Sequence, residues 1–218
     1  MRRRPAGMIA AGVLVVSASS VLVGCAGAAR PEAEPAASTD PSSSDPAVVW
    51  ESQGTSELEQ DPHVSALRAA LTAEALARNA HDFSRDDFVA TWGEEARDAI
   101  FTGARSQAEL ADPRMAAGPA VVQPLSVEPD GAGSVMVTVC DASQNWWLSD
   151  EHEPTVDLEA GNPLVYSLSD GDDAPVVQSV SGASGDCDAT GAPLGRFDPA
   201  PEVPAEIDPD SLVRPPRD

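Results

Sequence analysis

Lysine is absent from this chain of 218 residues: all 13 basic residues are arginines, set against 36 Asp and Glu. An Ala, Val, Asp and Arg bias without Lys is what a GC-rich coding sequence produces, so it is read as drift rather than function. The deficit of positive charge excludes more. Formal net charge is -23, and phosphate backbones are held by the basic side chains that neutralise them, so nucleic acid is excluded as a partner. No polybasic patch is present for anionic lipid either. The acidity reads as solubility and colloidal stability, with weak divalent-cation binding as the sharper alternative. Aromatics are scarce at 4%, which limits the chain to a modest core. Long apolar runs are lacking: the one candidate, 8–23, is interrupted by Ser and Gly and falls short of the about 20 residues that span a bilayer. Enzyme signatures are missing as well, with no Gly-X-Ser-X-Gly elbow, no His-Glu-X-X-His and no Gly-rich phosphate loop.

What is present is most specific at the start. Arg2, Arg3 and Arg4 form a positive leader, the apolar stretch follows, and it closes on Leu22-Val23-Gly24-Cys25. Length and flanks fit a signal peptide over 1–24. The closing tetrapeptide resembles the lipobox of bacterial lipoprotein precursors, which match at all four positions. The resemblance implies that a diacylglyceryl group is joined to the Cys25 thiol and that cleavage precedes Cys25. Two acyl chains, at about 0.8 kcal/mol per buried methylene, hold stably where one does not. The expected location is the extracytoplasmic face of the cell membrane. Export by the general or the twin-arginine route stays open.

Residues 25–48 read as a lipidated tether: Pro31, Pro35, Pro41, Pro46 and a Ser42-Ser43-Ser44 run offer no apolar period to offset their ordering entropy. The tail 191–218, with prolines at 193, 199, 201, 204, 209, 215 and 216, reads the same way, as a Pro-rich acidic disordered segment. Between them, 49–190 carries the domain. Asp61-Pro62 is an N-cap followed by Pro at the first helical position, and Val64, Leu67, Leu71 and Ala75 keep helical spacing through Ala80. Ser84-Arg85-Asp86-Asp87 resembles a capping box. Phe88, Trp92, Ala96 and Ile100 then repeat every four residues, predicting one continuous second helix to about Gly103, its aromatic stripe facing the core.

Beyond Gly118 the period becomes two. Strands are expected over 120–127 with an edge or bulge at Pro124, over 134–141, over 163–168 and over 176–180; 145–148 reads as a short strand. Turns fall at 129–133 and 170–173. Helices first and antiparallel strands after them argue for an α+β domain, with helices on one face of the sheet. This order, together with Asp61-Pro62-His63-Val64 through Ala77-Arg78-Asn79-Ala80 and Val137-Thr138-Val139-Cys140-Asp141, resembles small lipoproteins of high-GC Gram-positive bacteria that carry a cone-shaped NTF2-like domain. The resemblance implies two N-terminal helices packed on an antiparallel sheet around a cone. It departs at 176–180, where such domains commonly bear Trp.

With Cys25 lipidated, Cys140 and Cys187 allow a single intramolecular disulfide, which the cell exterior permits; two unpaired thiols, or a metal site short of other ligands, are the alternatives. NTF2-like enzymes need an acid–base pair and an oxyanion donor. This chain has a single Tyr, and His63, His81 and His152 fall outside the expected pocket-facing strands. Asp170-Gly171-Asp172-Asp173 lacks calcium-loop spacing and reads as a turn. Trp146-Trp147 is the candidate partner contact: neighbours on a strand face opposite sides, leaving one ring outward for a protein or a glycan. The expectation is a non-enzymatic binding or accessory module at the envelope, without cofactor, catalytic residues or metal, whose partner is an envelope protein or small ligand. An NTF2-like cone-pocket enzyme and a structural envelope component are the competing classes. Replacing Cys25 by Ser should release the protein from the membrane fraction or leave an unprocessed precursor. Correct cleavage with undiminished membrane fractionation would remove the lipobox reading.

Overall fold

The computed structural model describes residues 45–110, 113–170 and 174–217. The signal segment, Cys25 and most of the tether lie outside them, as do residues 171–173 of the turn expected at 170–173. The first helix, α1 (Pro62–Ala80), starts as its sequence implies, with Asp61 Oδ1 accepting from the His63 N–H at 2.8 Å and Pro62 in the first turn. Val64, Leu67, Leu71 and Ala75 are buried along one stripe, with Ala70, Ala73 and Ala77 beside them. The helix ends at His81, whose left-handed φ of 55° lets its N–H reach the last carbonyls.

The second expected helix is broken in two, which corrects the continuous reading. The pieces are α2 (Asp86–Thr91) and α3 (Glu94–Ala108), separated by Trp92 in extended geometry and by Gly93. Trp92 Nε1 donates to the Ala70 carbonyl at 2.9 Å, and the Gly93 N–H donates to Val177 O at 2.8 Å. A Cβ on residue 93 would run into the Gln178 side chain. Contact with the sheet edge therefore replaces the helical hydrogen bonds at this point. The expected capping box does not form: Ser84 Oγ donates to Asp82 Oδ1, and α2 has no side-chain cap.

Two-residue periodicity becomes a four-stranded antiparallel meander of β3 (Val122–Pro129), β4 (Ser134–Asp141), β6 (Asn162–Ser169) and β7 (Val176–Gly182), in that spatial order. Register pairs Val137 with Val127 and Tyr166, and Val139 with Leu164. Val137, Val139, Tyr166, Leu168 and Val177 face the helices and form the main core with them. Leu125, Met136 and Val180 are exposed. Pro124, which cannot donate to a ladder, sits on edge strand β3 beside its bulge. At the β3–β4 turn Asp130 Oδ1 accepts from the N–H groups of Ala132 and Ser134, which hold its carboxyl below the ordinary range. Gly131 and Gly133 supply the positive φ there. Two small ribbons complete the fold: β2 (Met115–Ala116) with β5 (Trp147–Leu148), and β1 (Ala47–Ser52) with β8 (Leu194–Asp198). The architecture is α+β with antiparallel sheets.

The ribbon of β1 and β8 revises the expected boundaries of 49–190, because β1 begins inside the tether and β8 lies in the segment expected to be disordered. After β8 the Pro-rich chain runs as a strap. Ile207 packs on the main core and Leu212 joins it. Val213 exchanges backbone hydrogen bonds with the α1–α2 loop, donating to His81 O at 2.9 Å and accepting from Phe83 N at 3.0 Å. Arg214 lies over the Phe101 ring at 5.1 Å, and Arg105 meets Asp210 at 2.7 Å. A strap held by isolated anchors and backbone pairing leaves no period in its sequence.

Burial holds the His81 imidazole below its ordinary pKa, and its Nε2 has no hydrogen-bond partner among the described residues. The unfolded imidazole takes its proton at about pH 6.5, the folded one only lower. Stability present above about pH 6.5 is therefore lost as pH falls through that window. Melting temperature should accordingly drop between pH 7 and 5.5 more steeply in the native protein than in His81→Asn, where Asn keeps the left-handed cap. Parallel profiles would show that His81 does not couple protonation to folding.

Candidate functional site

Cys140 and Cys187 form the disulfide. It lies in a second, smaller core with Ala117, Val121, Ala142, Trp146, Ala189 and Ala192. Gly161 passes so close that a Cβ there would strike Cys140 Sγ, and its backbone exchanges hydrogen bonds with Cys187 at 3.0 and 3.3 Å. The bridge thus ties the loop leading to β8 against β4, a middle strand of the meander.

The two cores meet at a cavity of about 400 Å³. Helix α1 supplies one wall through Leu71, Glu74, Ala75 and Arg78, an apolar stripe flanked by an i,i+4 ion pair. Glu74 Oε1 accepts from Arg78 Nε at 2.8 Å and meets Nη2 at 2.8 Å. Tyr166 enters from β6, its ring edge-on to Trp92 at 6.4 Å. Burial, and then the charges of Glu74 and Asp141, push its hydroxyl above the usual tyrosine range, so it stays a neutral O–H. Asp141 also faces the cavity, and its Oδ1 accepts from the Ser143 N–H at 2.8 Å. The rim is fixed by Asn79, whose amide pairs with residue 116 like a strand neighbour: Nδ2 donates to Ala116 O at 2.9 Å and Oδ1 accepts from Ala116 N at 2.7 Å.

The tryptophan pair divides between core and rim. Trp146 is only 4% exposed; its inner position makes it a wall of the cavity rather than a partner surface, and Arg196 lies over its ring at 4.5 Å. Trp147 is half-buried. Its ring carries Arg114 at 3.9 Å and stacks on His152 at 4.0 Å, and its Nε1 donates to Gln144 O at 3.1 Å. Its stacking surface is thereby occupied by the protein's own side chains. None of the three histidines lines the cavity; His63 supports the α1 cap through Asp61, and all three are partly buried. Among the described residues no cluster of His, Cys, Asp and Glu could hold a metal ion, and no helix is long and apolar enough to cross a membrane. Cys25 lies outside the described residues.

Sequence reasoning missed Glu74, Arg78, Asn79 and Gln107, the last of which lines the cavity from α3, and gave Tyr166 no role in a site. One signal was available: Glu74 and Arg78 flank Leu71 and Ala75 on the same side of α1. No protein-family model, curated protein or solved structure matches the chain.

The bridge spans a sequence separation of 47 residues, which the chain-entropy relation converts to about 4 kcal/mol. Replacing both Cys140 and Cys187 by Ser should lower the melting temperature by roughly 10 °C. Reductant should do the same to the native protein and nothing to the double variant. Two alkylatable thiols in protein exported by its own cell would refute the bridge.

Proposed function

We propose that this chain is a bacterial lipoprotein, anchored outside the cytoplasm through Cys25, whose NTF2-like domain binds a small ligand in the cavity between its two cores and performs no catalysis. The lipobox tetrapeptide supports the anchor, and the Cys140–Cys187 disulfide is consistent with an oxidising compartment. Helices laid on an antiparallel meander support the cone-like fold. The observation that carries the binding reading is the state of the cavity's acids. Glu74 is paired with Arg78 and Asp141 accepts a backbone N–H, so each carboxylate has a structural task, and no histidine lines the cavity beside them. The other walls combine apolar side chains such as Leu71, Ala75 and Met115 with polar ones such as Gln107, Arg114 and Gln144, so a small ligand with both kinds of group is suited to them.

Fractionation of Cys25→Ser decides the anchor. For the cavity, tetralin serves as an apolar bicyclic probe. It should give saturation-transfer signals with the native soluble domain and lose them with Ala120→Phe, which fills the space, at a melting temperature within a few degrees of native. Tetralin binding that survives the filled cavity would place the site elsewhere.

A further inference from the structure

We propose that the C-terminal strap, 199–214, is an acid-released latch: protonation of His81 undocks Leu212 and Val213 from the α1–α2 loop and opens the space beneath them. The release stands apart from the reading of the larger cavity as a ligand site.

Three observations meet at one residue. The His81 carbonyl accepts the Val213 N–H at 2.9 Å, so the strap is pinned to the backbone of the residue that takes the proton. The imidazole of the same residue lines a small space of about 50 Å³ together with Ile207 and Leu212 of the strap, Phe83 of the loop, and Ala104 and Ala108 of α3. Its Nε2 is shut off from solvent and has no hydrogen-bond partner among the described residues. A neutral ring tolerates that position. An imidazolium has an N–H donor on each ring nitrogen and a charge that must be hydrated or paired.

No counter-charge is at hand. Among the described residues no carboxylate lines the space, whereas Arg78 and Arg114 both do. The acids on the surrounding elements are engaged elsewhere: Glu74 of α1 with Arg78, Asp210 of the strap with Arg105 of α3, and Asp82 with the N–H and hydroxyl of Ser84. Arg214 of the strap lies 3.9 Å from Asp98 of α3, Asp208 accepts the Asp210 N–H, and Glu109 and Glu206 line a separate hollow. The charged ring therefore gains most by reaching water, and the strap is the cover that yields. Helices α1 and α3 each send several side chains into the main core, while the strap is held by Ile207, Leu212, two backbone hydrogen bonds and an exposed ion pair. Burial lowers the pKa of the docked imidazole, so docking is favoured above about pH 6.5 and weakens as pH falls below it. Arg78, Gln107 and Arg114 also line the larger cavity, so a lifted strap bares side chains of its wall.

Amide hydrogen exchange of the purified full chain, expressed as protection relative to the intrinsic rate at each pH, tests the latch. Between pH 7 and 5 the protection of the Val213 and Phe83 amides should fall about tenfold. At both pH values it should stay about a hundredfold below that of amides in the middle of α1, because the strap opens without the domain. His81→Asn, which keeps the left-handed cap and does not titrate, should abolish the pH dependence. Equal protection at Val213 and in α1 would overturn the latch in favour of whole-domain unfolding. Protection at Val213 that ignores pH, or a pH dependence that survives His81→Asn, would overturn it too. Should His81→Asn fail to fold, the full chain carrying Leu212→Ser and Val213→Pro, which frees the strap, decides. Its His81 pKa, measured by NMR, should rise to about 6.5, and a value as low as in the native protein would sink the proposal.

Discussion

Burying the Trp92 indole forces the chain out of helical geometry in the middle of a segment whose residues repeat as a helix. An aromatic side chain hides about 150–250 Å², which at about 25 cal/mol per Å² corresponds to about 4 to 6 kcal/mol. The helical hydrogen bonds lost at the break contribute about 1 kcal/mol each, and Gly93 replaces one by donating to Val177 O. Burial wins, and the consequences spread. The break directs α3 along β7, places Trp92 against Ala70 of α1, and sets the Tyr166 ring edge-on to the indole.

With so few aromatics, nearly all are committed to structure. Phe101, Phe83, Phe88, Trp92 and Tyr166 touch in series, at centroid distances of 5.6, 5.6, 6.5 and 6.4 Å. This line runs from the strap, where Arg214 covers Phe101, to the cavity, where Tyr166 ends it. The opposite wall belongs to the second core, where Trp146 is backed by small residues and the disulfide. The cavity is a seam between two separately packed clusters, which is why its walls combine apolar with polar and charged side chains.

The strap is held on different terms. Its exposed ion pair, Arg105 with Asp210, contributes little in water. Leu212 in the core and the two backbone hydrogen bonds of Val213 contribute more. Both bonds end on residues flanking Asp82, beside the imidazole of His81, which burial keeps neutral. A segment rich in proline is suited to this role, because its extended form loses less entropy on docking than a flexible chain would.

Local rules decided much of this molecule. The cap of α1, its apolar stripe, the alternation of β4 and the bulge at Pro124 all follow from short-range preference and period, and the two cysteines left beyond the lipobox were enough to suggest the disulfide. Tertiary contact decided the rest. The split between α2 and α3 follows from a sheet edge that lies about 85 residues further along the chain. The docking of 194–214 depends on a receptor surface built by α1, α3 and β1, which no periodicity inside the tail can encode. The cavity is of the same kind: Glu74 and Asn79 on α1, Trp146 just before β5 and Tyr166 on β6 become neighbours only when the two cores close. Periodicity reports what one element buries, whereas a seam between cores is a property of how elements meet.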